Sequence, residues 1–241
     1  MCKAYSLENR GVVRANLNKD PDDVSKMFDG VASRYDFLND LLSLGRTKSW
    51  RKSVTAIIAP KTGMQILDIA AGTGSSARPL VDKGAQVTAL DFSEGMLAQG
   101  RKQHKDIKFV QGDALKLPFN DNTFDVTTIS FGLRNTSDTS LALKEALRVT
   151  KSNGKIVIAE FSHPVNKIFK SIYLNYLLKA LPIVVRKISK NPKAYVYLAE
   201  SIRAWPDQAG LARIMEKNGW NSVAWQDLTF GIVAVHIGYK A

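Results

Sequence analysis

Three carboxylates recur at matching places in a repeating pattern. Asp68 precedes the turn Ala70-Ala71-Gly72-Thr73-Gly74, Asp91 closes the apolar run from Gln86 to Leu90, and Asp113 follows the run from Ile107 to Gln111. An isolated Asp is most often a helix cap or a solvated turn. Three at the carboxyl ends of three successive strands fall on the edge where open α/β sheets bind ligands. Gly72 and Gly74 let a ligand approach the backbone closely, and a helix beginning after them offers free N–H groups. Gly72-Thr73-Gly74-Ser75-Ser76-Ala77 also satisfies the dinucleotide pattern G-x-G-x-x-G/A, so the glycines alone leave a nicotinamide dinucleotide and S-adenosylmethionine both open. Asp91 suits the ribose of either. Asp113 with Ala114 favours S-adenosylmethionine, because a side chain and neighbouring backbone there can bind an adenine amine. Asp68 favours it as well, since a carboxylate repels a pyrophosphate and suits a sulfonium with an amino acid tail.

The elements that must position these acids are legible as alternating apolar runs and amphipathic stretches. Strands are predicted at 65–70, 86–91, 107–111, 124–130 and 155–161, with helices at 75–83, 93–103 (Ser93 as N-cap) and 140–149. Parallel neighbours need crossover helices, so this rhythm predicts a mostly parallel, doubly wound sheet. The end differs: a helix over 207–218 stops at Gly219, and the β-rich runs 222–229 and 231–239 are too close for a crossover, so they are expected to pair antiparallel. The fold class is therefore α/β, a Rossmann-like methyltransferase layout with seven strands and a C-terminal antiparallel hairpin. Residues 20–59 are helical in pattern and form a cap. The core is expected at 60–162 and 205–241, with an inserted substrate lid at 163–204. Residues 1–19 carry no motif and are expected to be a disordered terminus ahead of a single domain over 20–241.

Composition narrows the partners. The 241 residues carry 34 Lys and Arg against 22 Asp and Glu, a formal +12 that implies an anionic partner. Seven of those positive charges, Lys167, Lys170, Lys179, Arg186, Lys187, Lys190 and Lys193, lie between His163 and Ala199 with no acid among them. Aliphatic residues dominate between them, unlike the aromatic platforms that stack bases. The segment after the fourth strand, Ile129-Ser130-Phe131-Gly132-Leu133-Arg134-Asn135, also lacks the Asn/Asp-Pro-Pro-aromatic tetrapeptide that receives exocyclic base amines. No nucleic acid partner is expected. The lone Cys2 excludes a disulfide framework and a Cys-based metal site, and no metal is called for. No apolar run approaches the roughly 20 residues of a membrane span. A cytoplasmic protein, peripherally held at the inner face of the membrane, is the expectation; a homo-oligomer stays open.

A series of motifs then carries a resemblance. Tyr35-Asp36-Phe37-Leu38-Asn39-Asp40-Leu41-Leu42-Ser43, Trp50, the Ala70-to-Gly74 turn, Asp91-Phe92-Ser93, Leu117-Pro118-Phe119, Ser130 to Asn135, Glu160-Phe161-Ser162 and Ala194 to Leu198 together resemble the ubiquinone/menaquinone biosynthesis C-methyltransferases, most of all the branch acting on demethylmenaquinone. The resemblance runs from about Asp20 to the C-terminus. Thr47 stands where the family has His, Leu38 where it often has Met, and Ser152-Asn153 where it has Pro-Gly. The resemblance implies methyl transfer from S-adenosylmethionine to a ring carbon of a prenylated quinol, demethylmenaquinol giving menaquinol; another lipophilic phenol or sterol, or noncatalytic RNA binding, are the rival readings. It implies Asp68, Gly72, Thr73, Gly74, Asp91, Phe92, Asp113, Ala114 and Ser130 around the cofactor. Arg134 is the candidate stabiliser of the acceptor's oxyanion, with Tyr35, Asn39 and Asn135 lining the acceptor pocket. For the proton, Asp36 is weighed equally as a base and as a helix-face acid, Tyr35 is a further candidate, and His163 is weighed mainly as a satisfied or surface residue. Apolar and basic residues of the lid would meet the prenyl tail and an anionic membrane surface.

Overall fold

The computed structural model describes residues 45–166 and 192–241, together with Lys19, Met27, Ser43, Ile168, Phe169, Ser171 and Tyr173. Residues 1–18, most of the expected cap including Tyr35, Asp36 and Asn39, and most of the basic segment lie outside the described residues. After helix α1 (Thr47–Ile58) come β1 (Gln65–Ile69), α2 (Arg78–Val81), β2 (Gln86–Asp91), α3 (Glu94–Gln103), β3 (Lys108–Gln111), β4 (Phe124–Ser130), α4 (Thr139–Val149), β5 (Thr150–Phe161), α5 (Pro192–Ala204), α6 (Gln208–Lys217), β6 (Asn221–Leu228) and β7 (Val233–Tyr239).

The sheet order is β3-β2-β1-β4-β5-β7-β6. Strands β1 to β5 run parallel, while β7 is antiparallel to both β5 and β6. The expected seven-stranded layout with its closing hairpin is therefore what the chain builds. The order reverses between β1 and β4, and a crevice opens at such a switch point beyond the strands' carboxyl ends.

Alternation along the strands supplies two layers of core, because successive side chains point to opposite faces. Leu67, Ile69, Ile156 and Ile158 pack against α4 and α6 through Leu143, Ala146, Leu211 and Met215. Ile66, Val87, Val126 and Val157 pack on the other face against Val54 and Ile58 of α1 and Leu80 of α2. Side-chain caps hold the helix starts: Ser93 Oγ accepts from the Met96 N–H, Asp138 from Leu141 and Asp207 from Gly210.

Two boundaries differ from the sequence expectation by more than two residues. The helix after the glycine turn is only Arg78–Val81, since Pro79 has no N–H and is tolerated only in a first turn. Strand β5 begins at Thr150, five residues early, across a register shift opposite Phe124 and Val126. Asn153 there has φ 60°, a left-handed conformation that Asn tolerates better than most residues.

Candidate active site

The turn after β1 and the ends of β2 and β4 converge on the crevice. Asp91 braces it: its carboxylate accepts from the Gly72 N–H at 2.8 Å and the Ser93 N–H at 2.9 Å. The same side chain thus ties the glycine turn to the start of α3. Gly72 has φ +56°, and a Cβ there would come within 2.9 Å of the Met96 methyl, so the cradle is shaped for glycine. Gly132 after β4 is required for a different reason, because a Cβ on it would overlap the Cβ of Ala70. Ala70 and Phe131, at the ends of β1 and β4, themselves sit at φ 55° and 60°, and backbone strain of this kind concentrates at functional sites.

Asp68 is fully buried, and neither carboxylate oxygen has a hydrogen-bond partner among the described residues. Burial, with a smaller contribution from the negative charge of Asp91, pushes its pKa up to about 8. A buried, unpartnered carboxyl under a glycine turn suits a cationic ligand. Asp113 accepts from the Leu115 N–H at 2.8 Å, which folds the loop after β3 into a tight turn beside Ala114. Phe92 is exposed at the rim between β2 and β3, and Ser130 ends β4 on the other side. The predicted cofactor residues are therefore brought to one edge, and the orphaned acid and glycine cradle fit S-adenosylmethionine.

Beside this crevice lies a second cluster. Arg134, 4% exposed, pairs with Glu160, 1% exposed, through Nη1 and Oε1 at 2.8 Å. Its Nη1 also donates to the Phe131 carbonyl, its backbone N–H reaches Glu160 Oε2 at 3.3 Å, and its guanidinium lies 5.2 Å from the Phe161 ring centroid. Asn135 Oδ1 accepts from the hydroxyl of Tyr197 on α5 at 3.2 Å. Burial raises the Tyr197 pKa, opposed by the positive charge of Arg134. Trp50, Phe131 and Phe161 form an aromatic wall with ring centroids 5.1–6.2 Å apart, and the Trp50 indole donates to Thr229 Oγ1 at 2.8 Å.

Glu160, Tyr197, Trp50, Phe131 and Phe161 received no role from sequence reasoning, although all lie in the motifs quoted above. Their partners are far along the chain, so only the convergence of strand ends reveals them. His163 is placed at the end of β5, with Nε2 2.9 Å from the Trp205 carbonyl and its own carbonyl accepting from Gln208. Thr47 opens α1 and is buried.

Comparison with known proteins agrees with this geometry. A model of the ubiE/COQ5 methyltransferase family matches residues 15–240. A demethylmenaquinone methyltransferase of Streptomyces avermitilis is 54% identical over 230 residues, 95% of this chain and 100% of that protein. The protein of the same name from Mycobacterium marinum is 54% identical over 227 residues, 94% of this chain and 97% of its own. Among solved structures, an S-adenosylmethionine-dependent methyltransferase from Aquifex aeolicus superposes with TM-score 0.59 at 18% identity, over 79% of this chain and 89% of that one. Phosphoethanolamine N-methyltransferase 2 of Haemonchus contortus gives TM-score 0.65 at 17% identity, over 92% and 60% respectively. The latter two likenesses concern the fold alone. With the acid-lined crevice, the fold and these matches in agreement, the chain belongs to the ubiE/COQ5 methyltransferase family and is an S-adenosylmethionine-dependent methyltransferase.

Proposed function

We propose that the chain methylates a ring carbon of demethylmenaquinol, yielding menaquinol. The observation that carries this reading is identity above 50% across nearly the whole chain with demethylmenaquinone methyltransferases. The neighbouring aromatic wall and buried cation are suited to a flat, electron-rich ring. When bound, S-adenosylmethionine supplies the electrophilic methyl group. Asp68 would hold its cationic portion, Asp91 the ribose, and Asp113 with Ala114 and Phe92 the adenine. Trp50, Phe131 and Phe161 exclude water from the acceptor ring, and Arg134, oriented by Glu160 and flanked by Asn135, stabilises the phenolate from which the ring carbon attacks. Tyr35, Asp36 and Asn39 complete the acceptor side in this reading. The test is incubation with methyl-labelled cofactor and reduced demethylmenaquinone, with tRNA and a sterol in parallel. Label in the quinone alone is the expected result; label in RNA or sterol, or in none, overturns it.

Asp91→Ala is expected to weaken cofactor affinity ten- to a hundredfold, because a buried hydrogen bond to a charged group contributes about 1.5–3 kcal/mol. Calorimetric titration measures it, and unchanged affinity removes Asp91 from the ribose.

The prenylated acceptor resides in a bilayer, and an apolar cluster supports a peripheral position there. No helix among the described residues is long and apolar enough to cross a membrane. Val165, Ile168 and Phe230 are 67%, 74% and 73% exposed, and the Phe169 and Phe230 rings lie 5.4 Å apart, at the start of the acid-free basic segment. We assign this face to an anionic membrane at the cytoplasmic side. Phe230→Asp is expected to lower partition onto phosphatidylglycerol vesicles at least about tenfold, since burying a Phe side chain is worth about 1.5–3 kcal/mol. Added salt should weaken binding of both proteins. Co-sedimentation that ignores both the substitution and salt would refute the assignment.

A further inference from the structure

Three consecutive residues between β6 and β7 adopt the left-handed conformation: Thr229 at φ 49°, Phe230 at 58° and Gly231 at 87°. Glycine takes that region freely, but a β-branched or bulky residue there is an outlier that persists only where its surroundings hold it. Here they do. The Phe230 carbonyl accepts from the Val165 N–H at 3.4 Å and the Ile232 carbonyl from the Ser162 N–H at 2.8 Å. A Cβ on Gly231 would lie within 3.1–3.3 Å of Gln208 Nε2, the Val165 nitrogen and the His163 carbonyl oxygen. The turn is thus wedged between the end of β5 and the start of α6. Its conformation sends two neighbouring side chains to different places. Phe230 stands exposed beside Phe169, whereas the Thr229 hydroxyl accepts at 2.8 Å from the indole of the buried Trp50.

That indole bond connects the turn to the crevice. Trp50 lies 5.8 Å from the Phe131 ring and 6.2 Å from the Phe161 ring. Phe131 directly follows the last residue of β4, and the Phe161 ring centroid is 5.2 Å from the Arg134 guanidinium. A buried indole N–H needs an acceptor, and with Thr229 supplying it the plane of the Trp50 ring is fixed relative to Phe131 and Phe161. We propose that Thr229 is a positioning residue for methyl transfer: it holds Trp50 in the wall against which the acceptor ring lies, and the turn that carries it relays the seating of Phe230 in lipid to that wall. The proposal rests on the quinol reading and on the membrane face assigned above. No proton or bond changes hands at Thr229. It acts on the angle at which the acceptor carbon meets the methyl group, where small displacements are costly. Lipid binds the conformation that turns Phe230 outward, and the same conformation presents the Thr229 hydroxyl to the indole, so membrane binding and an ordered wall favour each other.

The experiment uses the full chain with Thr229→Val, which keeps the branched shape and removes the acceptor, and Thr229→Ser, which keeps the hydroxyl. Cofactor affinity by calorimetry and co-sedimentation with phosphatidylglycerol vesicles control for folding and membrane binding, and both should match the wild type. With saturating short-tailed reduced demethylmenaquinone, Thr229→Val should lower kcat about tenfold, the scale of one lost hydrogen bond, while Thr229→Ser stays within about threefold of the wild type. Vesicles should raise the wild-type kcat and leave that of Thr229→Val unchanged. A second readout needs neither quinol nor Thr229→Val. The Trp50 indole resonance of ¹⁵N-tryptophan-labelled protein, identified by its loss in Trp50→Phe, should shift when short-chain phosphatidylglycerol micelles are added to the wild type, and should stay in place in Phe230→Asp. Equal kcat in Thr229→Val and the wild type, or a wild-type indole resonance indifferent to lipid, overturns the proposal. A wild type that fails to methylate the quinol overturns the functional reading instead, and the indole resonance still tests the link. One that fails to sediment with vesicles overturns the membrane assignment, and Thr229→Val against Thr229→Ser still tests the positioning.

Discussion

Glu160→Ala is expected to destabilise the protein by about 3–5 kcal/mol, because it strands the guanidinium of Arg134 in a site only 4% exposed. The loss should shift the urea midpoint downward by more than about 1 M, given slopes of about 1–3 kcal/mol/M. The informative companion is the double variant Arg134→Met with Glu160→Leu. Replacing a buried ion pair with apolar residues of similar volume is often neutral or stabilising, so this variant should recover most of the lost stability. It should not recover methyl transfer, since no guanidinium then remains to orient the acceptor oxygen. A cost below about 1 kcal/mol for the single variant, or an active double variant, would show that the pair is incidental to the chemistry.

Asp68→Asn should move stability and affinity in opposite directions. The folded pKa of Asp68, about 8, lies above the ordinary aspartate value of 3.8. Between those values the unfolded chain has released the proton and the folded chain still holds it. Stability from this group is therefore fully present below about pH 4 and falls by about 1.4 kcal/mol per pH unit as pH rises toward 8. Asn carries no such proton. The unfolding free energy of the ligand-free wild type should drop relative to Asp68→Asn by about 2 kcal/mol between pH 6 and pH 8, read from denaturant curves at the two pH values. Cofactor affinity should change the other way, weakening by tenfold or more (at least about 1.4 kcal/mol). In the wild type a cationic ligand draws the carboxyl into its ionised form, so binding near pH 7 releases protons, measurable by calorimetry in buffers of different ionisation heat. Parallel pH–stability curves for the two proteins would mean that Asp68 is ionised in the ligand-free fold.

The core was legible because its signals are local. Apolar alternation over five to seven residues set the strands, and Ser93, Asp207 and Gly219 marked helix ends through backbone groups a few positions away. The hairpin followed from the shortness of the connection between β6 and β7. The cofactor acids were equally accessible, since a residue at the carboxyl end of a parallel strand is carried to one edge by the topology itself. The burial of Asp68 without a partner was not, because it depends on what packs around β1. Likewise Asp91 was read as a ligand for ribose, whereas it also secures the turn through the N–H of Gly72.

By itself, then, the sequence determined the mostly parallel sheet with its closing hairpin, the edge that carries the acids and the family to which the chain belongs, all of which arise from short-range pattern and motif order. Only the tertiary structure decided the cluster beside that edge. Arg134 meets Glu160 across 26 positions, Tyr197 reaches Asn135 across 62, and Trp50 is held by Thr229 across 179. Lys19 is brought to Trp205 from the opposite end of the chain. Such pairings depend on which strand ends and helices share a crevice, and no local periodicity encodes that. An arginine in sequence shows a charge; only the fold shows that charge buried against the carboxylate of Glu160.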